Sequence, residues 1–372
     1  MGDPWFKVRH LEKEGLVGLS SNYALYGDMS SRVMTVLSEA VPAAEVYSID
    51  ECFLDLDRLG FVPDLTAWLR DLRATVRRWT GIPVSIGVGP TKTLAKVANR
   101  LAKKSRKADG VLDLTADPKW VEAALKRTEV GDVWGIGRQY AGKCRLAGIH
   151  TALDLARADD GWIRKSMGAV GLRTVMELRG VPVHDLETEP EDRKTCCVSR
   201  SFGESTHDRG HVHDAVTAFA TRAAAKVRRD GMVAGAVQAF LMTDRFRRDE
   251  PQHSGSATVR LDPPTSSTPD VIAAAVRAMG SAWRDGFAYR KAGVLLLDLV
   301  RAEDVPRDLF APPPPKRPAA LMQALDGIES RFGRGTMSFG LPSPEAPWTM
   351  RRERMTPLYT TRWDDVPVVR LG

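Results

Sequence analysis

Apolar positions in the first part of the chain switch between helical and strand spacing. They recur at helical spacing over residues 28–40, which begin at Asp28, a residue suited to capping a helix N-terminus. Residues 65–79 repeat the pattern of an amphipathic helix, PVSIGVGP (residues 83–90) is typical of a short buried strand, and Thr91 opens another helix. Together with the hairpin considered next, this order predicts an α+β layer rather than a regular parallel sheet.

The stretch VYSIDECFLDL, residues 46–56, places two acids side by side between two apolar runs. In one continuous strand Asp50 and Glu51 would point to opposite faces, and one carboxylate would face the core unpaired. We therefore predict two short strands, 46–49 and 52–56, with the acids in their connection, where both carboxylates project together. Two such anions suit a hard divalent cation such as Mg2+. The alternative is a solvated acidic turn.

The turn GVGPTKT, residues 87–93, resembles a phosphate-binding loop. Backbone amides at a helix N-terminus, together with Lys92, would favour a phosphate. The Walker A spacing between the first glycine and GK[ST] is missing, which excludes a P-loop ATPase. Triphosphate contact by Lys92 remains a hypothesis, with a solvated polar stripe as the alternative. That stripe consists of Lys92, Lys96, Asn99 and Lys103.

Residues 133–156, VWGIGRQYAGKCRLAGIHTALDLA, contain the glycine turn Gly135, Ile136 and Gly137 between helical segments. Turns of this kind bring backbone amides close to phosphates without reading bases. The pattern predicts a helix-hairpin-helix that contacts DNA through this turn and Arg138, and a plain helical turn is the alternative.

Beyond a charged linker at residues 185–193, the pattern runs strand, helix, strand, strand, helix, strand. This order predicts a ferredoxin-like βαββαβ domain. Three arginines near the end of its second strand suit contacts to a duplex backbone. They are Arg245, Arg247 and Arg248.

Composition favours several domains and a polyanionic partner. A chain of 372 residues with 43% hydrophobic content is too long for one ordinary domain. Its net charge of +7 at pH 7 makes nucleic acid the first candidate partner. The opening MGDPWFKVRH lacks the apolar core of a signal peptide, and no apolar run reaches membrane length. A cytoplasmic protein without a membrane partner is expected.

Cysteine and histidine spacing does not indicate a metal site. The cysteines lack a CxxC pair or zinc spacing, so reduced, mostly structural thiols are expected. A group of histidines lacks an apparent fourth ligand, so surface positions are expected. These residues are Cys52, Cys144, Cys196, Cys197, His207, His211 and His213.

The segments SIDECFLDL, GVGPTKTLAKVANRLAKK and VWGIGRQYAGKCRLAGIHTALDLA, in this order, closely resemble the Y-family translesion DNA polymerases. The C-terminal LMQALDGIESRFGRGTMSFG and YTTRWDDVP are similar to the UmuC type, the catalytic subunit of bacterial polymerase V. The resemblance covers essentially the whole chain and implies a polymerase right hand in consecutive parts. These are a fingers remnant (1–20), a palm lacking its first strand (21–114), a helix-hairpin-helix thumb (115–184), a linker (185–193), a little finger (194–302), a candidate clamp motif with a proline-rich linker (303–320) and a UmuC-type C-terminal region (321–372).

The resemblance also assigns chemistry to the acidic pair. It implies that Asp50 and Glu51 hold the Mg2+ ions of a two-metal site, where a primer 3′ hydroxyl attacks the α-phosphate of a deoxynucleoside triphosphate. It further implies that Lys92 lies near that triphosphate and that the chain binds primer-template DNA. The implied activity is error-prone translesion synthesis in DNA repair and the SOS response.

Residues 302–311, AEDVPRDLFA, lie where related polymerases carry a sliding-clamp motif. Asp308, Leu309 and Phe310 match the end of that motif, whereas Pro306 stands where glutamine is usual. Weak clamp binding is therefore expected, with a domain-closing hydrophobic contact as the alternative. A UmuD-type accessory subunit and a RecA-type recombinase are further partners that the resemblance implies.

The sequence departs from the family at its start. Family members begin with a palm strand that carries another metal-binding aspartate, and here that strand and most of the fingers are absent. Asp55 cannot substitute, because it lies too far from Glu51 along an extended strand for a shared pair of metals. A non-catalytic DNA- and clamp-binding subunit or remnant is therefore the alternative. A helix-hairpin-helix repair nuclease is a weaker one, since it leaves the C-terminal motifs unexplained.

Overall fold

The computed structural model divides the chain into two compact units. One comprises Met1–Pro190 and Arg352–Gly372, and the other comprises Glu191–Arg351, so the boundary falls inside the charged segment 185–193. None of the helices described is long and apolar enough to cross a membrane. The residues described are 2–57, 59–60, 62–189, 192–247, 249–305, 316–333, 336–337, 339, 348 and 352–369.

The first unit combines helices with two small sheets, which confirms the predicted α+β class. Its helices are α1 (Trp5–Val8), α2 (Tyr23–Glu39), α3 (Leu65–Thr80), α4 (Lys92–Lys104), α5 (Pro118–Arg127), α6 (Arg138–Leu146), α7 (Ala152–Arg157) and α8 (Asp160–Leu178). Its strands are β1 (Ala44–Val46), β2 (Cys52–Leu54), β3 (Ile86–Val88) and β4 (Val111–Asp113). The pair β1 and β2 is an antiparallel hairpin, and the pair β3 and β4 is parallel.

Helix α2 begins earlier than its sequence pattern predicts. Asn22, rather than the expected Asp28, is the N-cap, and its Oδ1 accepts a hydrogen bond from the Leu25 amide at 3.2 Å. Asp28 lies inside the helix, where its carboxylate pairs with Arg32 at 2.9 Å. The Asn22 side chain is fully buried, and its Nδ2 donates to the Thr356 carbonyl at 3.0 Å. This distant partner is what fixes the cap.

Helix α4 joins the strands of the first unit to its later helices. Leu94 and Val97 are buried in one cluster with Ile163 and Val175 of α8. The same helix packs against β3. Thr91 caps its N-terminus as predicted, accepting a hydrogen bond from the Leu94 amide at 3.2 Å. The side chains on the opposite face of α4 are therefore held in a fixed position relative to both the strands and the later helices.

The second unit is a four-stranded antiparallel sheet with two helices packed against it. Its elements are β5 (Cys196–Thr206), α9 (Arg209–Arg229), β6 (Met232–Thr243), β7 (Ser254–Thr265), α10 (Thr268–Ala282) and β8 (Tyr289–Arg301). The βαββαβ order is as predicted, but the sheet order β5-β8-β6-β7 is not ferredoxin-like. The second and fourth strands are central here, whereas the first and third are central in the ferredoxin-like plan. The alternation of polar and apolar residues determines which face of a strand is buried. It does not determine which strands lie next to it in the sheet.

The C-terminal region begins with a helix where a spacer was expected. Helix α11 (Lys316–Phe332) includes residues 316–320, which were predicted to belong to the proline-rich linker. Its Asp326 carboxylate accepts hydrogen bonds from two nitrogens of the Arg228 guanidinium, at 2.6 and 2.8 Å. Because the Arg228 side chain is only 13% exposed, this bidentate pair anchors α11 to the second unit.

Candidate active site

The acidic pair lies in the connection between β1 and β2, as its sequence predicts, although the first strand ends at Val46 rather than continuing to residue 49. The Ser48 amide donates to the Glu51 carbonyl at 3.1 Å and closes the loop. The Asp50 carboxylate accepts a hydrogen bond from the Ser48 hydroxyl at 2.7 Å, whereas the Glu51 carboxylate pairs with Lys96 at 2.8 Å. Both acids line one cavity of about 460 Å3. They therefore share a cavity while each keeps a different partner.

Lys96 is the basic residue that the structure brings to the acidic pair. Its ammonium lies 4.4 Å from the ring centroid of Tyr47, 5.0 Å from that of Trp134 and 5.4 Å from that of Phe53. Sequence reasoning placed Lys96 only in a polar stripe. Its position one helical turn after Lys92 was the available signal, since residues four apart share a helix face.

Lys92 forms a separate, buried ion pair. Its Nζ lies 2.5 Å from the Glu45 carboxylate, and the two side chains are only 11% and 8% exposed. The same nitrogen donates to the Asp185 carbonyl, and Glu45 also accepts from the Glu187 amide at 2.8 Å. The ammonium of Lys92 is therefore already satisfied within the fold, and its contact with a triphosphate stays a prediction.

The glycine turn before α4 is built for close packing. A Cβ at Gly87 would lie 2.0 Å from the Asn99 amide nitrogen, and one at Gly89 would lie 2.7 Å from the Ala95 amide nitrogen. At the start of α4, the Thr93 amide donates to the Glu177 carboxylate at 2.9 Å. An internal carboxylate thus takes the place that a phosphate would occupy in a phosphate-binding loop.

The carboxylates fit a metal in kind but are few. No group of at least three histidines, cysteines, aspartates or glutamates able to hold a metal occurs within the described ranges. Asp55, which its distance from Glu51 along the strand excluded as a substitute, lines the same cavity as the acidic pair. Asp28 pairs with Arg32, and the neighbouring Thr360 hydroxyl, followed by Arg32, holds the pKa of Asp28 below its usual value.

The histidine group is not a uniform set of surface residues, so that prediction was partly wrong. His211 is half-buried, with its ring centroid 5.1 Å from that of Phe202 and 5.5 Å from that of Trp348. Helical spacing put its side chain toward the core of the second unit. His207 and His213 are exposed.

Three of the four cysteines lie where burial lowers their reactivity. All are free thiols, and burial raises the pKa of Cys144 and Cys196 above the usual value. Burial, followed by the nearby Glu45 carboxylate, raises the pKa of Cys52 to about 11. Only a thiolate is strongly nucleophilic, so these thiols are unreactive near neutral pH. Cys197 is exposed.

The predicted helix-hairpin-helix turn is present at the start of α6. Gly135 has a left-handed φ of +86°, which a side chain would strain, and Gly137 caps the helix. Ile136 is buried between these two exposed glycines, and Arg138 is exposed. The turn therefore exposes the backbone of both glycines to solvent, while the buried Ile136 side chain holds it in place. Its contact with DNA stays a prediction.

The predicted arginines follow β6 in the second unit. The Arg245 guanidinium lies 5.1 Å from the ring centroid of Phe246, which is 82% exposed. Arg247 pairs with Glu250 at 2.7 Å. Other predicted contact residues lie outside the described part of the chain. They are Arg248 and the clamp-motif residues Asp308, Leu309 and Phe310.

Family comparisons cover most of the chain. Residues 1–100 match the impB/mucB/samB family, residues 193–309 match the impB/mucB/samB family C-terminal domain, and residues 319–369 match a domain of unknown function, DUF4113. Protein UmuC of Salmonella typhimurium is 42% identical over 98% of this chain and 87% of its own length. DNA polymerase IV of Caulobacter vibrioides is 27% identical over 91% of this chain and 80% of its own.

Solved structures agree on the fold. A chimera of the Y-family DNA polymerases Dbh and Dpo4 matches with a TM-score of 0.59 at 20% identity, over 75% of this chain and 77% of the chimera. At this identity the match speaks for the fold alone. The sequence similarity to protein UmuC is stronger evidence for the family, since it extends over nearly the whole chain at 42% identity. This chain belongs to the UmuC type of the Y-family translesion DNA polymerases.

Proposed function

We propose that this chain performs DNA-directed DNA synthesis past damaged template bases and that Asp50 and Glu51 are its catalytic carboxylates. One observation carries the proposal: both acids line one cavity, and the Lys96 ammonium lies 2.8 Å from the Glu51 carboxylate. The family supplies the reaction, which is template-directed nucleotidyl transfer of low fidelity in DNA repair and the SOS response.

The two carboxylates suit a divalent cation. Mg2+ prefers hard oxygen ligands and is commonly held in nucleotide-handling enzymes by one or two carboxylates plus substrate phosphates. We assign Asp50 and Glu51 to such a Mg2+ site, where the ion would stabilise negative charge on the reacting phosphate. A second ion would need a further ligand, because no third acid joins the pair within the described residues.

Lys96 is our candidate for the triphosphate contact. Its partner Glu51 is 38% exposed, whereas Lys92 is committed to the buried Glu45. Freeing Lys92 would leave a charged carboxylate buried without its partner, which is the more costly exchange. Lys96 can exchange Glu51 for phosphate oxygens at a lower cost. The triphosphate contact predicted for Lys92 would first require this ion pair to open.

Primer-template DNA is the proposed macromolecular ligand. The glycine turn at residues 135–137 and Arg138 would contact duplex phosphates through backbone amides and one guanidinium. Arg245, Arg247 and Arg248 would add contacts from the second unit. The exposure of Arg138, Arg245 and Arg247 supports this assignment.

Three protein partners are proposed with the family. They are a sliding clamp, a UmuD-type accessory subunit and a RecA-type recombinase. The clamp is the easiest to test, with a peptide of residues 302–311 titrated against the clamp of the same organism. We expect weak, roughly micromolar binding that disappears when Leu309 and Phe310 are both replaced by alanine. Absence of saturable binding would reject the motif.

The catalytic proposal is tested by primer extension with Asp50→Ala and Glu51→Ala. Each change should lower extension at least about a hundredfold, because a metal-holding carboxylate is lost. Affinity for primer-template DNA should change less than about twofold, since it comes mainly from basic contacts to phosphates. Asp55→Ala is the matched control, because Asp55 lines the same cavity and is not assigned to the metal.

Two results would change the proposal. Extension that survives either Asp50→Ala or Glu51→Ala would remove that residue from the catalytic pair. A wild-type chain that binds primer-template DNA and never extends the primer would favour the non-catalytic DNA- and clamp-binding role instead.

A further inference from the structure

Three aromatic rings enclose the ammonium of Lys96, and we call these rings the aromatic cage. Tyr47, Phe53 and Trp134 place their ring centroids 4.4, 5.4 and 5.0 Å from Lys96 Nζ. The Tyr47 and Trp134 rings meet edge to face, with centroids 5.6 Å apart and planes at 84°. The Lys96 side chain is only 17% exposed. Ring faces attract a cation more strongly when water is largely excluded in this way.

The aromatic cage provides the Lys96 ammonium with a second attraction besides the Glu51 carboxylate. Under the proposed function Glu51 would hold a divalent cation, and the Lys96 ammonium would then lack its carboxylate partner. A shielded ammonium that has lost its counter-charge tends to move into solvent, where water replaces the lost partner. Aromatic rings attract the charged form without competing for the cation. The cage can therefore hold the Lys96 side chain in place while its partner changes.

Trp134 joins the cage from a different part of the chain than the other rings. Tyr47 and Phe53 belong to the hairpin that carries the acids, whereas Trp134 directly precedes the glycine turn at residues 135–137. Its neighbours Val133 and Ile136 are buried in the same cluster as the apolar face of α4. The backbone of Trp134 is thus fixed relative to the helix that bears Lys96.

We propose that Trp134 is a positioning residue that closes the aromatic cage and holds the Lys96 ammonium where the triphosphate must arrive. The proposal rests on the proposed function, since it takes the pocket beside Asp50 and Glu51 as the nucleotide site. Trp134 itself contacts no reacting atom. It acts through the position of the Lys96 ammonium.

Kinetics of nucleotide use provide one test. Trp134→Leu should raise the KM for deoxynucleoside triphosphate about tenfold and change kcat little, because a ring face against the ammonium is lost. Trp134→Phe keeps a ring and should restore KM to within about threefold of the wild-type value. Trp162→Leu is the matched control, because Trp162 packs on the same core cluster and makes no contact with Lys96. An unchanged KM in Trp134→Leu would overturn the proposal.

Lysine acetylation read by mass spectrometry provides a second test that needs no polymerase activity. Trp134→Leu should speed acetylation of Lys96 about tenfold, while exposed Lys103 on the same helix keeps its rate. Equal acceleration at both lysines would mean that α4 has opened, and it would overturn the positioning role. So would an unchanged rate at Lys96. The two proposals can also fail separately. If the wild-type chain never extends a primer but Trp134→Leu still speeds acetylation of Lys96 alone, the proposed function is wrong and the aromatic cage is supported.

Discussion

The carboxylate of Glu177 accepts a hydrogen bond from the backbone amide of Thr93 at 2.9 Å, at the first turn of α4. Its other oxygen accepts the amides of Val183 and His184, at 2.9 and 3.2 Å. Glu177 is fully buried, so three backbone donors satisfy its charge inside the fold. One acid therefore joins the end of α8 to the start of the helix that carries Lys92 and Lys96.

Replacing Glu177 by glutamine should destabilise the first unit. The amide oxygen can still accept some of these hydrogen bonds, but the amide nitrogen would face a backbone donor, and the loss should be about 2–3 kcal/mol. Urea unfolding monitored by hydrogen exchange of α4 measures it. Glu122→Gln is the control, because Glu122 is exposed and its pair with Arg157 contributes little. An unchanged stability would mean that the buried charge is dispensable.

Lys92→Met should weaken the fold more than it weakens nucleotide binding. The change leaves the buried Glu45 carboxylate without its ammonium, and among the described residues the Glu187 amide is the hydrogen-bond donor that remains, so about 3 kcal/mol should be lost. Lys96→Met should show the opposite pattern, because Glu51 is partly exposed and tolerates the loss of its partner. Parallel unfolding and nucleotide titrations of both variants separate the two roles. A wild-type stability in Lys92→Met would contradict the structural assignment.

Alkylation of the cysteines should depend on pH in a residue-specific way. Burial and Glu45 raise the pKa of Cys52 to about 11, so its alkylation rate should rise about tenfold per pH unit up to that value. Exposed Cys197 should react first, and Cys197→Ser should remove this fast phase.

The same shift affects stability at high pH. Because the unfolded thiol ionises near its ordinary pKa of 9.0, Cys52 stabilises the fold below that pH, and this contribution is lost as pH rises toward 11. Cys52→Ala should therefore reduce the loss of stability over this range. Fast alkylation of Cys52 near neutral pH would contradict both expectations.

Local patterning was sufficient for much of the first unit. The apolar period predicted α3 and α4 closely, because each helix has its own cap and one continuous apolar face. The hairpin with Asp50 and Glu51 in its connection followed from a rule about alternating side chains. These features depend on residues only a few positions apart.

The features that the sequence did not predict depend on contacts between residues far apart in the chain. The cap of α2 is Asn22 because Thr356 holds its side chain, and the two lie 334 positions apart. Lys92 pairs with Glu45 across 47 positions, a partner that its local motif did not indicate. The sheet order of the second unit depends on strand neighbours in the same way. Apolar periodicity carries no information about such partners.

Arg245 offers the most direct test of the DNA contact in the second unit. Its guanidinium stacks on exposed Phe246 and makes no ion pair among those found within the described residues, whereas Arg247 is already neutralised by Glu250. A phosphate that pairs with Arg247 must first displace this carboxylate. Arg245→Ala should therefore weaken DNA binding more than Arg247→Ala does.

The salt dependence of binding identifies the cause. Each phosphate contact contributes roughly one unit to the slope of log affinity against log salt, so Arg245→Ala should flatten that slope by about one unit for every DNA sequence tested. Arg277→Ala serves as the control, because Arg277 is an exposed arginine on helix α10 rather than in the segment that follows β6. A slope that stays unchanged in Arg245→Ala would place this arginine outside the interface, whatever happens to affinity. A slope that flattens equally in Arg277→Ala would point to net charge rather than to a defined contact.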